Sequence, residues 1–473
     1  MGGDHRRGAA PRRHRGQQLF ERLVDGRGEV HLPARWKRGR RMTANTKLPL
    51  NAIPSSDDIL RKELSNGIIV LARPNFHSPS VVVSGYLQAG SIFDSDKKLG
   101  LADFTASALM RGTKKHTFTE IYEQLESVGA ALGLSGSTHT ASFSGRSLVE
   151  DLPMLFGLLN ETLRSPIFPS KQVEKLRAGL LTSLDLQQQD TKDRAGIAWD
   201  EIVYPNHPYG RPDEGRPETV RAIRRGDLLS FHRKHYGPKG LVVAVVGGID
   251  PEEAVTLVEK ALGDWHNPSQ PAPPSLPQWQ PLPEQKELRI SMPAKSQSDI
   301  VIGTAGPERG SAEYLPAALG NIVLGNFGLM GRLGESLREQ AGLAYYVYSS
   351  LGSSPGPGAW AVEAGVDPKD VDRAIDLIFA ELRRFVSEPV TDEELSDVQA
   401  NLIGSLPLSL ESNAGVASRL LHIERHQLGL DYLRNYPEMV RSVTKEAVLS
   451  AAARYLDLER LAVVVAGPQV VKE

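Results

Sequence analysis

Three short stretches carry residue types whose spacing bears on chemistry. In "GLADFTASALMRGT" (Gly100–Thr113), Asp103, Ala106 and Ser107 stand at i, i+3 and i+4 of a helical pattern, on one face. Two imidazoles and a carboxylate there would hold a metal and activate its water. Here Asp103 offers one oxygen, Ala106 cannot take a proton, and Ser107 is a poor zinc ligand. The second stretch, "LGNFGLMGRLGESLREQAGLAYYVYSS" (Leu324–Ser350), has glycines at 325, 328, 331 and 334, then Arg338 and Tyr345 seven apart. Glycine permits positive φ and close backbone approach. By itself the stretch fits a glycine-rich turn, a helix and a strand; it lacks the G-x-G-x-x-G and G-K-[ST] signatures of a nucleotide loop. The third class is paired histidines. "HRKH" (His232, His235) and "HIERH" (His422, Glu424, His426) have ligand-like spacing, but no third ligand is near in sequence. They read as surface or helix-packing residues.

The elements that must position these residues follow from periodicity. "GIIVLARP" (67–74) and "SVVVSGYLQAG" (80–90) are rich in β-branched residues and predict neighbouring strands. "GLADFTASALMRG" predicts a helix with Leu101, Phe104 and Ala108 on one face and Gly112 at its C-terminal cap. Thr117-x-x-Glu120 is a capping box opening a helix whose apolar stripe is Ile121, Leu125 and Val128. "TASFSG" alternates as a strand.

The chain also repeats itself. "VRAIRRGDLLSFHRKHYGPKGLVVAVVGG" from Val220 aligns without a gap on "VRSVTKEAVLSAAARYLDLERLAVVVAGP" from Val440. "KEL" occurs at Lys62 and again at Lys286, each at a strand region. Between the copies lies "HNPSQPAPPSLPQWQPLPEQ" (266–285), with seven prolines in twenty residues, an extended and semi-rigid composition. The expected organisation is therefore a basic extension over 1–44, one unit over 45–265, a linker over 266–285 and a second unit over 286–473. The expected fold is α+β: two homologous halves from an internal duplication, each a mostly antiparallel sheet with helices on one face.

Composition narrows the function. The 473 residues include no cysteine, which excludes disulfides, thiolate zinc and a cysteine nucleophile. No apolar run is long enough to span a bilayer. Residues 1–41 hold 12 Lys/Arg and 4 Asp/Glu, leaving −10 on the rest of a chain whose total is −2. That arm reads as a disordered extension. Nothing downstream supports nucleic-acid binding, and no signal peptide is visible, which points to the cytoplasm with the periplasm as the alternative.

The whole plan resembles the pitrilysin/insulinase family of metallopeptidases, whose zinc helix commonly reads close to GLAHFLEHMLFKGT. "GLADFTASALMRGT" keeps that frame and replaces His, Glu and His by Asp103, Ala106 and Ser107. The family's third ligand, a glutamate some way downstream, falls here in "KLRAGLLTSLDL", where Thr182, Ser183 and Leu184 occupy the turn. "HPYG" (His207–Gly210) fits a structural loop of the family. "LREQAGLAY" resembles the family's Arg/Tyr pair, so the resemblance implies that Arg338 and Tyr345 grip a substrate carbonyl. It likewise implies that Gly325, Asn326, Gly328 and Gly331 help admit the peptide. The implied activity is that of a non-catalytic subunit of a heteromeric zinc endopeptidase, similar to one chain of a mitochondrial-processing-type enzyme. The chain would hold no cofactor itself. Its partner, in a heterodimer or a dimer of heterodimers, would carry H-x-x-E-H and the zinc, and the substrate would be a peptide or unfolded polypeptide. The alternative is a scaffold subunit with this fold and no part in proteolysis.

Overall fold

The computed structural model describes residues 53–326 and 331–468, so the basic arm lies outside the described residues. In the first half, β1 (Leu60–Glu63), β2 (Ile69–Pro74), β3 (Ser80–Leu87), β4 (Ala131–Gly136), β5 (Ala141–Leu148) and β6 (Val242–Gly247) form one sheet in the order β1-β2-β6-β3-β5-β4. In the second half, β7 (Lys286–Ser291), β8 (Ser298–Ala305), β9 (Ala344–Leu351), β10 (Ala359–Val366) and β11 (Ala462–Gly467) form another, ordered β7-β11-β8-β10-β9. Each sheet is antiparallel except at one place: β2 runs parallel to β6, and β7 parallel to β11. That shared exception makes the two sheets copies of one topology. The chain is thus a duplicated α+β fold, as its sequence repeat implies.

Two details of pairing differ from expectation. Strands β2 and β3 are not neighbours, because β6 lies between them. All six residues of β6, "VVAVVG", are buried, as a central strand requires. The two "KEL" triplets are not equivalent either. Lys62 lies in β1, which has no counterpart in the second sheet, whereas Lys286 opens β7, the counterpart of β2.

The helices of the first half are α1 (Leu101–Ala108), α2 (Phe118–Ser127), α3 (Leu152–Arg164), α4 (Ser170–Gln189), α5 (Thr191–Val203), α6 (Pro217–Ala222), α7 (Arg225–His235) and α8 (Pro251–Leu262). Those of the second are α9 (Tyr314–Asn321), α10 (Val371–Ser387), α11 (Asp392–Ser409), α12 (Asn413–Arg425), α13 (Tyr432–Ser442) and α14 (Lys445–Tyr455). The capping box at Thr117 and Glu120 forms as read, and Ile121 and Leu125 are buried beneath it.

One face of each sheet packs on helices of its own half. Val70, Val83, Val243 and Val245 meet Phe104, Leu155 and Val258 in the first core. Ile302, Val362 and Val463 meet Ile378 and Phe385 in the second. The expectation of helices on one face stops there, because the other face of each sheet is also covered, by a helix from the opposite half. Ala195, Trp199 and Val203 of α5 pack on Val301, Val464 and Ala466 of the second sheet. Val416, Ala417 and Leu420 of α12 pack on Leu71, Val82 and Val246 of the first. The halves therefore exchange equivalent helices. The reason is legible in the strands, whose unbroken apolar runs leave neither face fit for water.

The proline-rich stretch carries no helix or strand but is pinned. The indole Nε1 of Trp279 donates to the Val203 carbonyl at 2.9 Å, and Leu282 is buried beside α5. The Gln270 amide exchanges hydrogen bonds with the backbone of Lys239 at 3.0 and 2.9 Å.

Candidate functional site

The frame of α1 is explained by packing. Gly100 precedes it at φ +89, where an added Cβ would lie 2.5 Å from the Glu214 carbonyl oxygen, so only glycine fits. With no side chain at the cap, the Asp94 carboxylate accepts from the N–H groups of Gly100 and Ala102 at 3.0 and 3.1 Å. Burial outweighs those bonds and pushes Asp94 up to about 7. Phe104 and Ala106 are fully buried in the first core.

The positions corresponding to metal ligands do not fit zinc. Asp103 accepts from the Gly136 N–H at 3.3 Å, and burial, with Glu214 and Asp213 nearby, raises it to about 6. Ala106 has no donor atom. On α4, Thr182 donates its hydroxyl to the Ala178 carbonyl at 3.0 Å, Ser183 is exposed, and Leu184 is buried in the core. Among the described residues, no group of three or more His, Asp or Glu side chains is disposed to hold a metal ion.

The histidine pairs divide. His232 bonds the Leu163 carbonyl at 2.9 Å and stacks on Tyr236. His235 sits between Phe93 and Phe231, with ring centroids 4.3 and 4.5 Å away. Those two are packing residues, each lowered to about 4 by burial. His422 and His426 are different. Their rings lie 4.6 Å apart in a cavity between the halves, while Glu424 turns away to a two-pronged ion pair with Arg61 at 3.0 and 2.8 Å. The reading of this pair as surface or packing residues gives way to cavity-lining ones. In "HPYG", the His207 Nδ1 accepts from the Tyr209 N–H at 3.1 Å. The Tyr209 hydroxyl in turn meets His139 at 2.8 Å and the Gly356 N–H at 3.0 Å, tying the halves together.

Arg338 and Tyr345 are borne on one tight connection. Arg338 lies on a π-helical segment, Gly334–Gln340. The Leu343 N–H returns to the Leu337 carbonyl at 2.9 Å, with Gly342 at φ +65 making the turn. Strand β9 then begins. Its register with β10 pairs Ala344 with Val366 and Tyr346 with Gly365, so Tyr345 has no partner and forms a β-bulge. Bulges re-aim side chains and recur beside active sites. Tyr345 is 56% exposed on an edge strand. Arg338 is exposed too, and neither makes a hydrogen bond or ion pair among the described residues. The neighbouring tyrosines are occupied: the Tyr346 hydroxyl bonds Asp299 and the Tyr348 hydroxyl bonds Glu363.

The glycine-rich loop is held from both ends. A second π-helical segment, Ile322–Asn326, enters it. Gly325 and Gly331 are buried against each other; a Cβ on Gly331 would lie 3.0 Å from the Gly325 Cα. Asn326 is exposed, and Gly328 lies outside the described residues. Arg332 leaves the loop with a two-pronged pair to Glu394 at 2.7 and 2.8 Å. Sequence reasoning missed this anchor, and also the cavity arginines Arg309, Arg419 and Arg425. The available signal was Arg419 and His422 at i and i+3 of α12, with His426 just past its end, opposite an apolar side.

Comparison with known proteins bears on the family and the fold. Residues 69–212 match the family model described as insulinase (peptidase family M16), and residues 222–402 match that of the peptidase M16 inactive domain. Asp103, Ala106 and Ser107 fall within the first match and Arg338 and Tyr345 within the second. An uncharacterised zinc protease of Mycobacterium leprae is 26% identical over 420 residues, covering 88% of this chain and 94% of the relative. The mitochondrial-processing peptidase subunit beta of Saccharomyces cerevisiae is 24% identical over 388 residues, covering 79% and 83%. A crystal structure of a peptidase M16 inactive domain from Pseudomonas fluorescens superposes with a TM-score of 0.82 at 25% identity, covering 88% of this chain and 99% of that one.

Proposed function

This chain belongs to the insulinase family of peptidases, and from that premise we propose that it is the substrate-gripping, non-catalytic subunit of a two-chain zinc endopeptidase. One observation carries the reading. Tyr345 projects from a bulged sheet edge and Arg338 from the π-helical segment before it, neither side chain hydrogen-bonded or ion-paired among the described residues, while Asp103, Ala106 and Ser107 do not make up a zinc-binding set. A partner subunit bearing H-x-x-E-H supplies the zinc. The Arg338 guanidinium and Tyr345 phenol then donate hydrogen bonds to a substrate carbonyl oxygen as it gains negative charge. The substrate is a peptide or an unfolded segment, taken up past the loop that starts at Gly325 and laid along a sheet edge. No helix among the described residues is long and apolar enough to cross a membrane. The compartment we propose is the cytoplasm, with the periplasm as the alternative.

The test is reconstitution. The purified chain alone is expected to cleave no peptide and to retain no stoichiometric zinc after dialysis. Mixed with a chain of similar length that carries H-x-x-E-H, it should raise peptidase activity. In that mixture Arg338→Ala and Tyr345→Phe should each lower kcat roughly 100-fold, about 3 kcal/mol, without changing Tm. Full activity with Arg338→Ala would instead favour a scaffold role, and zinc-dependent cleavage by the lone chain would end the proposal.

A further inference from the structure

A cavity of about 740 Å³ lies between the two halves, in the size range of small-molecule sites. Serines 84, 142 and 144 of the first sheet form one wall; α12, α13 and the segment around Arg309 form the others. None of Asp103, Ser107, Arg338 or Tyr345 lines it, so it is separate from the site described above. Arg309, Arg419 and Arg425 all line it, and no Asp or Glu is among its lining residues.

Two of the guanidiniums are held by neutral groups. Arg309 donates to the His422 Nε2 at 3.2 Å and to the Tyr432 hydroxyl at 2.8 Å, and lies 4.7 Å over the Tyr314 ring. Arg425 donates to the Thr140 hydroxyl at 2.7 Å and lies 4.4 Å over the Tyr86 ring. Arg419 makes no hydrogen bond or ion pair among the described residues. The nearby carboxylate, Glu424, is engaged by Arg61. Burial and then the arginines push His422 to about 3 and His426 to about 4, so both are neutral at pH 7. Three like charges in one concavity repel, and packing alone gives no reason to gather them. Ring-stacked guanidiniums are also pre-organised forks suited to phosphate oxygens.

We propose that this cavity binds a small organic polyphosphate, whose charged oxygens are shared by Arg309, Arg419 and Arg425. The serine hydroxyls donate to its remaining oxygens. A single planar carboxylate would satisfy one fork; a chain of two or more phosphates reaches forks arriving from different elements. The occupant bridges the first sheet and the second half, and so steadies the contact between them. The inference does not depend on the peptidase reading.

The experiment is calorimetric titration and thermal unfolding of the full chain with pyrophosphate and with ADP, against citrate as a polycarboxylate of similar charge. Both phosphates are expected to bind and to raise Tm by several degrees at saturation. Binding should weaken roughly tenfold in Arg419→Gln, which breaks no internal bond and should leave ligand-free unfolding unchanged. Arg425→Gln should weaken it similarly, and Arg425→Lys should restore part of the loss. The proposal is overturned if neither phosphate binds at millimolar concentration, if Arg419→Gln binds as the parent does, or if citrate binds as tightly as pyrophosphate.

Discussion

Asp200, on α5, shows how a single residue can set a pH response. Burial first, then Glu363, Asp213 and Glu201, raise its carboxyl to about 7. Between an unfolded value near 3.8 and that folded value, the native state holds a proton that the unfolded chain releases. Its contribution to stability therefore falls as pH rises through that window and is fully unfavourable at pH 8. Asp200→Asn should stabilise the protein at pH 8 by on the order of 2 kcal/mol, less at pH 5, and not at all below pH 3.8, as read by urea unfolding. His232 acts with the opposite sign. Its folded value of about 4 means that the unfolded chain takes the proton first, and stability is lost as pH falls from about 6.5 to 4. The identity of Asp200 is plain in the sequence, but its surroundings are not, because Glu363 comes from the other half of the chain.

At the scale of an element, the described ends of the loop between the two π-helical segments leave little room for change. A Cβ on Gly325 would lie 2.7 Å from the Ser349 backbone nitrogen and 2.9 Å from a Leu333 methyl. Gly325→Ala should therefore destabilise the protein by about 2 kcal/mol through overpacking, measurable by calorimetry. The Arg332–Glu394 pair closes the other end. Arg332 is buried, and removing it leaves a partly buried carboxylate without its ion-pair partner. Arg332→Ala should cost about 3 kcal/mol. Burial would raise Glu394, but hydrogen bonds from Arg332 and Thr391 outweigh it and hold the group at about 2. The pair's contribution is thus present above about pH 4.5 and lost as pH falls toward 2. A capping box such as Thr117 to Glu120 is local and can be read from four residues. This anchor joins a loop to the first turn of α11, and spacing gives no hint of it.

The exchange of α5 and α12 governs the whole molecule. Each half alone would expose one apolar sheet face: Leu71, Val82 and Val246 in the first, Val301, Val464 and Ala466 in the second. Residues 45–285 expressed alone should aggregate or bind a hydrophobic dye. Co-expression with residues 286–473 should give a soluble complex with a single unfolding transition. Independent folding of either half, with native-like unfolding, would contradict the role given to the exchanged helices. The same arrangement creates the cavity, since α12 must cross into the first half to bring Arg419, His422 and Arg425 beside Ser84 and Ser144.

Local chemistry and periodicity were determined by the sequence alone. That residues 103, 106 and 107 offer a carboxylate, no ligand atom and a hydroxyl holds whatever the fold, because side-chain identity decides donor capacity. The strands, the capped helix and the duplication follow from apolar period and an alignable repeat. Only the tertiary structure decided that β6 separates β2 from β3, that Tyr345 is squeezed out as a bulge, and that three arginines share one hollow without a carboxylate. Those outcomes depend on register and on contacts between residues far apart in the chain, and such contacts leave no periodic trace in either partner.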